Sequence, residues 1–185
     1  MSFLDRLIPE HQEVMIRLPY RVGLWISRAD MEGGEDAARQ ERQTLESLIE
    51  GFSRDVFGAV FIQEIMAVTI AGKGDWKSWG AELDYVPSEC RRALGILEST
   101  CTDKESREFI TRLMDIAEAV AYAFQERNAG RSILGRFWLR LCYGCLCFTG
   151  FFTRTPRITY HSYLYVSPKE RKALRSISQA LGVST

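Results

Sequence analysis

The chain has 185 residues, of which 46% are hydrophobic, and its 24 basic side chains balance 24 acidic ones. This length and apolar content are enough for one hydrophobic core, so we expect a single folded domain over residues 1–185. The balanced charge excludes a global field that would hold nucleic acid or an anionic bilayer. Binding of that kind would need a local patch.

The stretch MSFLDRLIPEHQEVM has early acids, no apolar core segment and no small-residue cleavage site. We therefore expect no signal peptide and a cytoplasmic location. Five cysteines, an odd number, are typical of reduced thiols and not of a disulfide framework. The longest apolar run, Leu141 to Phe152, is too short to cross a bilayer, so we expect no transmembrane helix.

Apolar residues recur at spacings of three and four in the first third of the chain, which predicts core-facing helices. The first helix is expected over residues 10–30, where Pro19 must start, kink or interrupt it. Gly33-Gly34 then breaks the chain. A second amphipathic helix is expected over residues 38–52.

The next segment, RDVFGAVFIQEIMAVTIAG, is apolar almost all round. We predict a buried central helix over residues 54–71, because the length of the segment favours helix over strand despite several β-branched residues. A glycine-rich connector follows this segment. Its two tryptophans, Trp76 and Trp79, are expected to pin a loop or short helix to the core.

Helix-start signals mark the second half of the chain. Pro87-Ser88 predicts a helix over residues 88–99. Thr102-Asp103-Lys104-Glu105 has the S/T-x-x-E form of a capping box, in which each of the two outer residues bonds the backbone of the other. The helix that follows this box should cover residues 103–127.

Ser167-Pro168-Lys169-Glu170 repeats the capping-box signal, with proline at the first helical position, where its missing N–H costs nothing. This predicts a last helix over residues 168–181, ended by Gly182. RITYHSYLYV is the one segment in which the residue pattern alternates as in a strand. Because no second strand is available to pair with it, we expect an irregular connector there. The predicted fold class is all-α, a compact single-domain helical bundle.

Two stretches of the chain resemble each other. Each consists of an apolar helix, a break, an acidic first turn and a helix with a leucine–isoleucine stripe. The first stretch is LWISRADMEGGEDAARQERQTLESLIEGFS. The second is IAEAVAYAFQE together with YVSPKERKALRSISQALGVS, and its two parts are separated in the chain. Both resemble the TerB-like family, named for tellurite resistance, whose helix pairs carry an Ala-Asp-Gly turn followed by a glutamate. Ala29-Asp30 with Glu41 is closest to the first family motif, and SPKERKALRSISQALGVS is closest to the last helix.

The chain departs from the family pattern in two places. Asp30 and Glu41 are further apart than in the compact family turn. In the second half, Ala123-Phe124-Gln125 stands where Ala-Asp-Gly is expected, and a long segment intervenes before the last helix. We interpret residues 131–166, which are rich in aromatic residues and cysteine, as an insertion in a TerB-like arrangement of helix pairs.

The resemblance implies an acidic surface at Asp30, Glu41 and Glu170. If the two helix pairs pack pseudo-symmetrically, these acids would hold calcium or another divalent cation, because hard cations take carboxylate oxygens. The alternative is that all three acids serve helix starts, since an acid in a first turn stabilises the helix dipole and Glu170 already has a capping-box role.

Signals for other chemistry are weak. Cys142, Cys145 and Cys147 lie with His161 among aromatic residues, without the second ligand pair of a structural zinc site, so we favour buried cysteines over metal ligands. The sequence has no recognisable nucleophile–histidine pattern, phosphate-binding loop or H-E-x-x-H motif. We therefore predict that the protein is not an enzyme.

Arginines alternate with aromatic residues in the inserted segment, which allows a nucleic-acid or membrane-headgroup face, or an ordinary helix with its arginines in solvent. We favour a self-association or partner surface, because one small domain can hide only so many aromatics. The expected assembly is a two-fold homodimer or a complex with a protein partner, without nucleic acid and with peripheral membrane association left open. The predicted interface residues are Phe137, Trp138, Tyr143, Phe148, Phe151 and Phe152.

The leading hypothesis is a non-enzymatic TerB-like binding module, which the resemblance links to stress-response assemblies. The alternative is a helical domain that holds a hydrophobic small molecule or lipid through residues 131–166. A third and weaker hypothesis is an enzyme with a carboxylate metal site.

Overall fold

The computed structural model describes residues 2–29, 34–54, 59–123 and 168–183, and all regular structure among them is helical. Its helices are α1 (Pro9–Ala29), α2 (Gly34–Ser53), α3 (Val60–Ala71), the single turn α4 (Trp76–Trp79), α5 (Val86–Thr100), α6 (Asp103–Ala123) and α7 (Pro168–Ala180). Short 3-10 turns lie at Leu4–Arg6, Gly72–Asp75 and Leu83–Tyr85. The all-α prediction is confirmed for the described residues, and the one-domain organisation of the whole chain stays a prediction.

The central helix is α1, which packs against α2, α3, α5, α6 and α7 and also touches α4. Met15, Leu18, Val22 and Ile26 follow the helical period along α1 and are shielded from solvent. The helix continues through Pro19, which is itself buried.

The helix predicted at residues 54–71 is present over Val60–Ala71, but it is neither central nor buried on all sides. α3 begins at Val60, whose side chain is 78% exposed, and Val68 is 37% exposed. One side of α3 packs against α1 and α2, while the other faces solvent. Because α3 is apolar on both sides, its composition did not reveal that α1 occupies the centre.

Two helix pairs, α1 with α2 and α6 with α7, pack together. α1 contacts α6, and each of these two helices also contacts both α2 and α7. α5 packs on α1, α6 and α7. The buried side chains of all these helices belong to one hydrophobic cluster, in which Phe109, Leu113 and Ile116 of α6 are fully shielded.

The capping box at the start of α6 is confirmed. Thr102 Oγ1 accepts the Glu105 N–H at 3.3 Å, and Glu105 Oε2 accepts the Thr102 N–H and hydroxyl, each at 2.8 Å. These bonds favour the charged carboxylate, so the Thr102 N–H first, and then its hydroxyl, lower the pKa of Glu105. The predicted box at Ser167 lies outside the described residues, as do residues 124–127 at the expected end of α6.

Gly182 ends α7, as predicted. Its φ of 67° is in the left-handed region, which glycine adopts without steric cost. The Val183 N–H donates to the Ser178 carbonyl at 2.8 Å, and the Gly182 N–H donates to the Gln179 carbonyl at 3.2 Å. This pair of bonds is a Schellman motif, which satisfies carbonyl groups that the helix itself leaves open.

The two tryptophans of the connector pack into the core, as predicted. Trp76 stacks on Tyr20 of α1 with ring centroids 4.3 Å apart, and Trp79 meets the same ring edge-on at 6.3 Å. The indole N–H of Trp76 donates to the Thr69 carbonyl at 3.0 Å. The connector is therefore held against α1 and α3.

Arg21 of α1 fixes the loop that follows, residues 79–82, which we name the Arg21 loop. The guanidinium is 6% exposed, and its Nε donates to Glu89 Oε2 at 2.7 Å. Its terminal nitrogens donate to the carbonyl oxygens of Trp79, Ala81 and Glu82. Arg28 donates to the remaining carbonyl of the loop, that of Gly80, at 3.2 Å.

Candidate binding surface

The structure places one of the three predicted cation ligands. Glu170 lies in the first turn of α7, and its side chain is 2% exposed. Asp30 and the side chain of Glu41 lie outside the described part of the chain. Within that part, no group of three or more His, Cys, Asp or Glu side chains is arranged to hold a metal ion. The convergence of the three acids therefore stays a prediction.

The inserted segment, residues 131–166, also lies outside the described ranges. This applies to every predicted interface residue, namely Phe137, Trp138, Tyr143, Phe148, Phe151 and Phe152. It applies equally to the predicted alternative of a lipid or hydrophobic ligand there. Of the helices that the structure describes, none is long and apolar enough to span a membrane.

Two adjacent helices, α5 and α7, carry an excess of exposed basic side chains. Ala173, Ile177 and Ala180 of α7 are buried, and on the opposite side Lys172 and Arg175 are exposed one helical turn apart. The exposed charged side chains of α7 are all basic. The acid of this helix, Glu170, is buried.

α5 packs beside α7 and carries charge of the same sign. Its side chains Arg91 and Arg92 are exposed, whereas Glu89 binds the buried Arg21 at 2.7 Å. Glu98 is the exposed acid of this helix. We give the name basic surface to four of the exposed bases of these two adjacent helices: Arg91, Arg92, Lys172 and Arg175.

The basic surface depends on removing acids from solvent. Glu170 enters the core and Glu89 is neutralised by Arg21, so neither remains to balance the neighbouring bases. Exposed bases of like sign attract anionic groups through the field that they add together. Arginine also offers a planar pair of donors that matches a carboxylate, so this surface is suited to binding acidic side chains.

A buried thiol, that of Cys90, lies in the same helix as two of these bases. Cys90 lies on the core side of α5, and burial raises its pKa to about 12, with a smaller contribution from Glu89. A thiol in that state is not a nucleophile at neutral pH. Burial also raises the pKa of Cys101, the other described cysteine. Both shifts disfavour the thiolate form of these two side chains.

Sequence reasoning overlooked the basic surface, although part of its signal was visible. SPKERKALR contains four bases and one acid, and the capping box already assigns that acid, Glu170, to the helix start. The bases that remain were left without a role. The neutralisation of Glu89 gave no such signal, because Arg21 lies far from it in the chain.

In comparisons with known proteins, no protein-family model matches the chain, and no curated protein or solved structure matches it. The TerB-like resemblance therefore stays a prediction from the motifs of the chain itself.

Proposed function

We propose that the chain is a non-enzymatic helical binding module, TerB-like in arrangement, whose basic surface holds an acidic segment of a partner protein. The observation that carries this proposal is the single sign of the exposed charge at Arg91, Arg92, Lys172 and Arg175. In a chain of zero net charge, such a local excess favours encounter with an acidic partner and suppresses a basic one.

The TerB-like part of the proposal is supported by the contacts between the helix pairs. An approximate two-fold axis that relates α1–α2 to α6–α7 would exchange α1 with α6, and these two helices are in contact. The contact of α1 with α7 must also have a counterpart between α6 and α2. Each of these contacts is present.

An acidic protein segment suits the basic surface better than a nucleic acid does. The whole chain has no net charge, so outside the four bases the rest of the molecule is net negative. A long polyanion would therefore meet repulsion beyond the surface, whereas a short acidic segment would not.

The proposal is tested by reversing two charges, Lys172→Glu with Arg175→Glu. We expect the natural chain to bind a labelled deca-glutamate peptide, measured by fluorescence anisotropy, with an affinity that falls as salt is added. The reversed variant should bind about tenfold more weakly or worse, because like charges then face each other.

The matched control is Lys104→Glu with Arg107→Glu, which makes the same net-charge change at two exposed positions of α6 with the same spacing. It should keep the binding. If the control loses as much affinity as the reversed variant, the binding reflects net charge alone and the proposal is wrong. Tighter binding of an oligonucleotide or a phosphatidylserine vesicle than of the peptide would also overturn it.

A further inference from the structure

The solvent side of α5 carries opposite charge at its start and at its middle. Asp84 and Tyr85 are exposed in the 3-10 turn that leads directly into α5. Arg91 and Arg92 are exposed about two helical turns further on. Ser88, which is also exposed, lies between the two pairs. An acid and an aromatic ring are thus separated by one small residue from two bases.

These five residues are arranged symmetrically about Ser88. Asp84 and Tyr85 precede it by four and three residues. Arg91 and Arg92 follow it by three and four residues. Because residues three and four apart are neighbours on the surface of a helix, all five lie on one side of α5 and of the turn before it. We name these five residues the α5 face.

The tyrosine of the α5 face is suited to a protein contact. Tyr85 is 61% exposed, and of the side chains that the structure describes it is the one exposed large apolar residue that carries an aromatic ring. Tyrosine and arginine are enriched among the residues that supply most of the binding energy of protein interfaces. A guanidinium also stacks on an aromatic ring. The α5 face therefore combines side chains that bind each other.

We infer that the acidic segment held by the basic surface is the start of α5 in a second copy of this chain. The inference rests on the proposed function, because it names the partner of the same site. A two-fold axis beside Ser88 sets the two α5 helices antiparallel, and closed two-fold pairs are the commonest assembly of identical chains. The acid and the tyrosine of each copy then lie level with the two arginines of the other.

Charge selects this register. An axis between Arg91 and Arg92 would bring the arginines of both copies together, where like charges repel. An axis beside Ser88 instead places bases opposite an acid and an aromatic ring. Ser88 is small enough for close approach, and its hydroxyl already donates to the Tyr85 carbonyl at 2.7 Å. The contact therefore leaves that donor with a partner.

The pairing should be weak and reversible. One helix side against another buries less than the roughly 1,200 Å² that stable complexes bury. Exposed charges contribute much of the attraction, so added salt should weaken it. Lys172 and Arg175 on the adjacent α7 add to the field that attracts the acid of the second copy.

Sedimentation equilibrium of the full chain at low ionic strength tests the pairing. The average mass should rise with concentration from 21.2 kDa toward twice that value, and salt should reverse the rise. Asp84→Lys should weaken the association at least about tenfold, because like charges then face each other. Glu98→Lys, the matched control on the same helix, should leave it unchanged. A natural chain that stays monomeric, or equal effects of the two substitutions, overturns the inference.

Mixing two variants gives a stricter test. Asp84→Lys leaves only bases as the charged groups of the α5 face, and Arg91→Glu with Arg92→Glu leaves only acids, so neither variant should pair with itself. The two should pair with each other. Lys104→Glu with Arg107→Glu makes the same net-charge change on α6 and should not pair with Asp84→Lys. All these positions are exposed, so the core is unchanged. No pairing in the first mixture, or equal pairing in both mixtures, overturns the inference.

The deca-glutamate measurement separates this inference from the proposed function. Asp84→Lys keeps all four bases of the basic surface, so it should bind the peptide at least as tightly as the natural chain although it no longer pairs. A natural chain that binds the peptide but stays monomeric rejects the second copy and leaves the proposed function standing. A natural chain that pairs as described but does not bind the peptide supports the second copy and rejects a general affinity for acidic segments.

Discussion

Two irregular segments of this molecule are each held by one polar side chain from a helix. Arg21 of α1 donates to three carbonyl groups of the Arg21 loop, and Glu64 of α3 accepts two amides of residues 2–8, which we name the N-terminal strap. The loop connects α4 to α5, whereas among the described residues the strap joins a helix only through Ile8. The same type of contact therefore holds a connection between two helices in one case and the segment that leads into α1 in the other.

Solvent access explains the difference. If Arg21 is lost, the Trp79 carbonyl stays buried without its donor, and Glu89 loses the cation that pairs with it. If Glu64 is lost, the strap can move away, and its two amides can bond to water. A polar group that stays buried without a partner costs far more than one that reaches solvent.

The largest effect should come from breaking the buried contact. Arg21→Leu should lower the free energy of unfolding by about 3–5 kcal/mol, because it leaves Glu89 and several carbonyl groups without their cation. Urea denaturation gives the value. Arg54→Leu removes an exposed arginine that pairs with Glu50, and should cost less than about 1 kcal/mol. Equal losses in the two variants would contradict the role assigned to Arg21.

The strap contact should break locally. Glu64→Ala removes two hydrogen bonds to a charged group and should lower the free energy of unfolding by about 1–2 kcal/mol, since detachment of the strap limits the loss. Native-state hydrogen exchange should become faster at Phe3 and Leu4 while the core of α1 stays protected. A loss as large as that of Arg21→Leu would show that the strap is as fixed as the loop.

The capping box of α6 gives a reference value for the stability effects of the two contacts above. Its two side chains belong to neighbouring residues and hold only the start of one helix. Thr102→Ala should cost about 1 kcal/mol, the usual value of an N-cap side chain. Thermal denaturation of this variant measures it. If the variant loses no stability, the hydrogen bonds between Thr102 and Glu105 make no net contribution to the free energy of unfolding.

The contribution of the capping box to stability also depends on pH. The folded-state pKa of Glu105 lies below its ordinary value of 4.5, because the Thr102 N–H and hydroxyl bond the charged carboxylate. The stabilisation is therefore complete above the unfolded-state pKa and is lost as the pH falls through the folded-state pKa. The difference in stability between the natural chain and Thr102→Ala should shrink on acidification below about pH 4.5. A constant difference would contradict this linkage.

The smallest effect concerns a third buried charge, Glu170. If this side chain serves the fold as Arg21 does, added calcium should leave the melting temperature unchanged. If Asp30, Glu41 and Glu170 do bind a cation, calcium should raise the melting temperature, because a ligand of the folded state stabilises it by mass action. A rise that Asp30→Asn abolishes would establish the site and reject the structural role.

The sequence predicted those parts of the fold that depend on neighbouring residues. The capping box of α6 joins residues three apart, and Gly182 ends α7 through its own left-handed backbone conformation. Both features are therefore visible in the sequence as short motifs. Helical periodicity located the long helices with small errors at their ends. α5, for example, begins at Val86 and not at Ser88.

Contacts between distant residues were not predictable. Arg21 and Glu89, or Glu64 and Phe3, meet only after the helices pack, and no local spacing indicates such pairs. Glu64 did leave a trace, since it is the one charged residue of α3. An acid that interrupts an apolar run needs a partner, although the sequence does not say which. The basic surface was hidden for the same reason, because it depends on the pairing of Glu89.

The central position of α1 has a consequence for synthesis. Among the described long helices, α1 leaves the ribosome first, whereas α7, which packs against it, begins at Pro168. At bacterial to eukaryotic elongation rates, roughly ten to thirty seconds separate the two helices. During that interval α1 lacks its contacts with α7, so the apolar side chains that those contacts cover would be open to binding by chaperones.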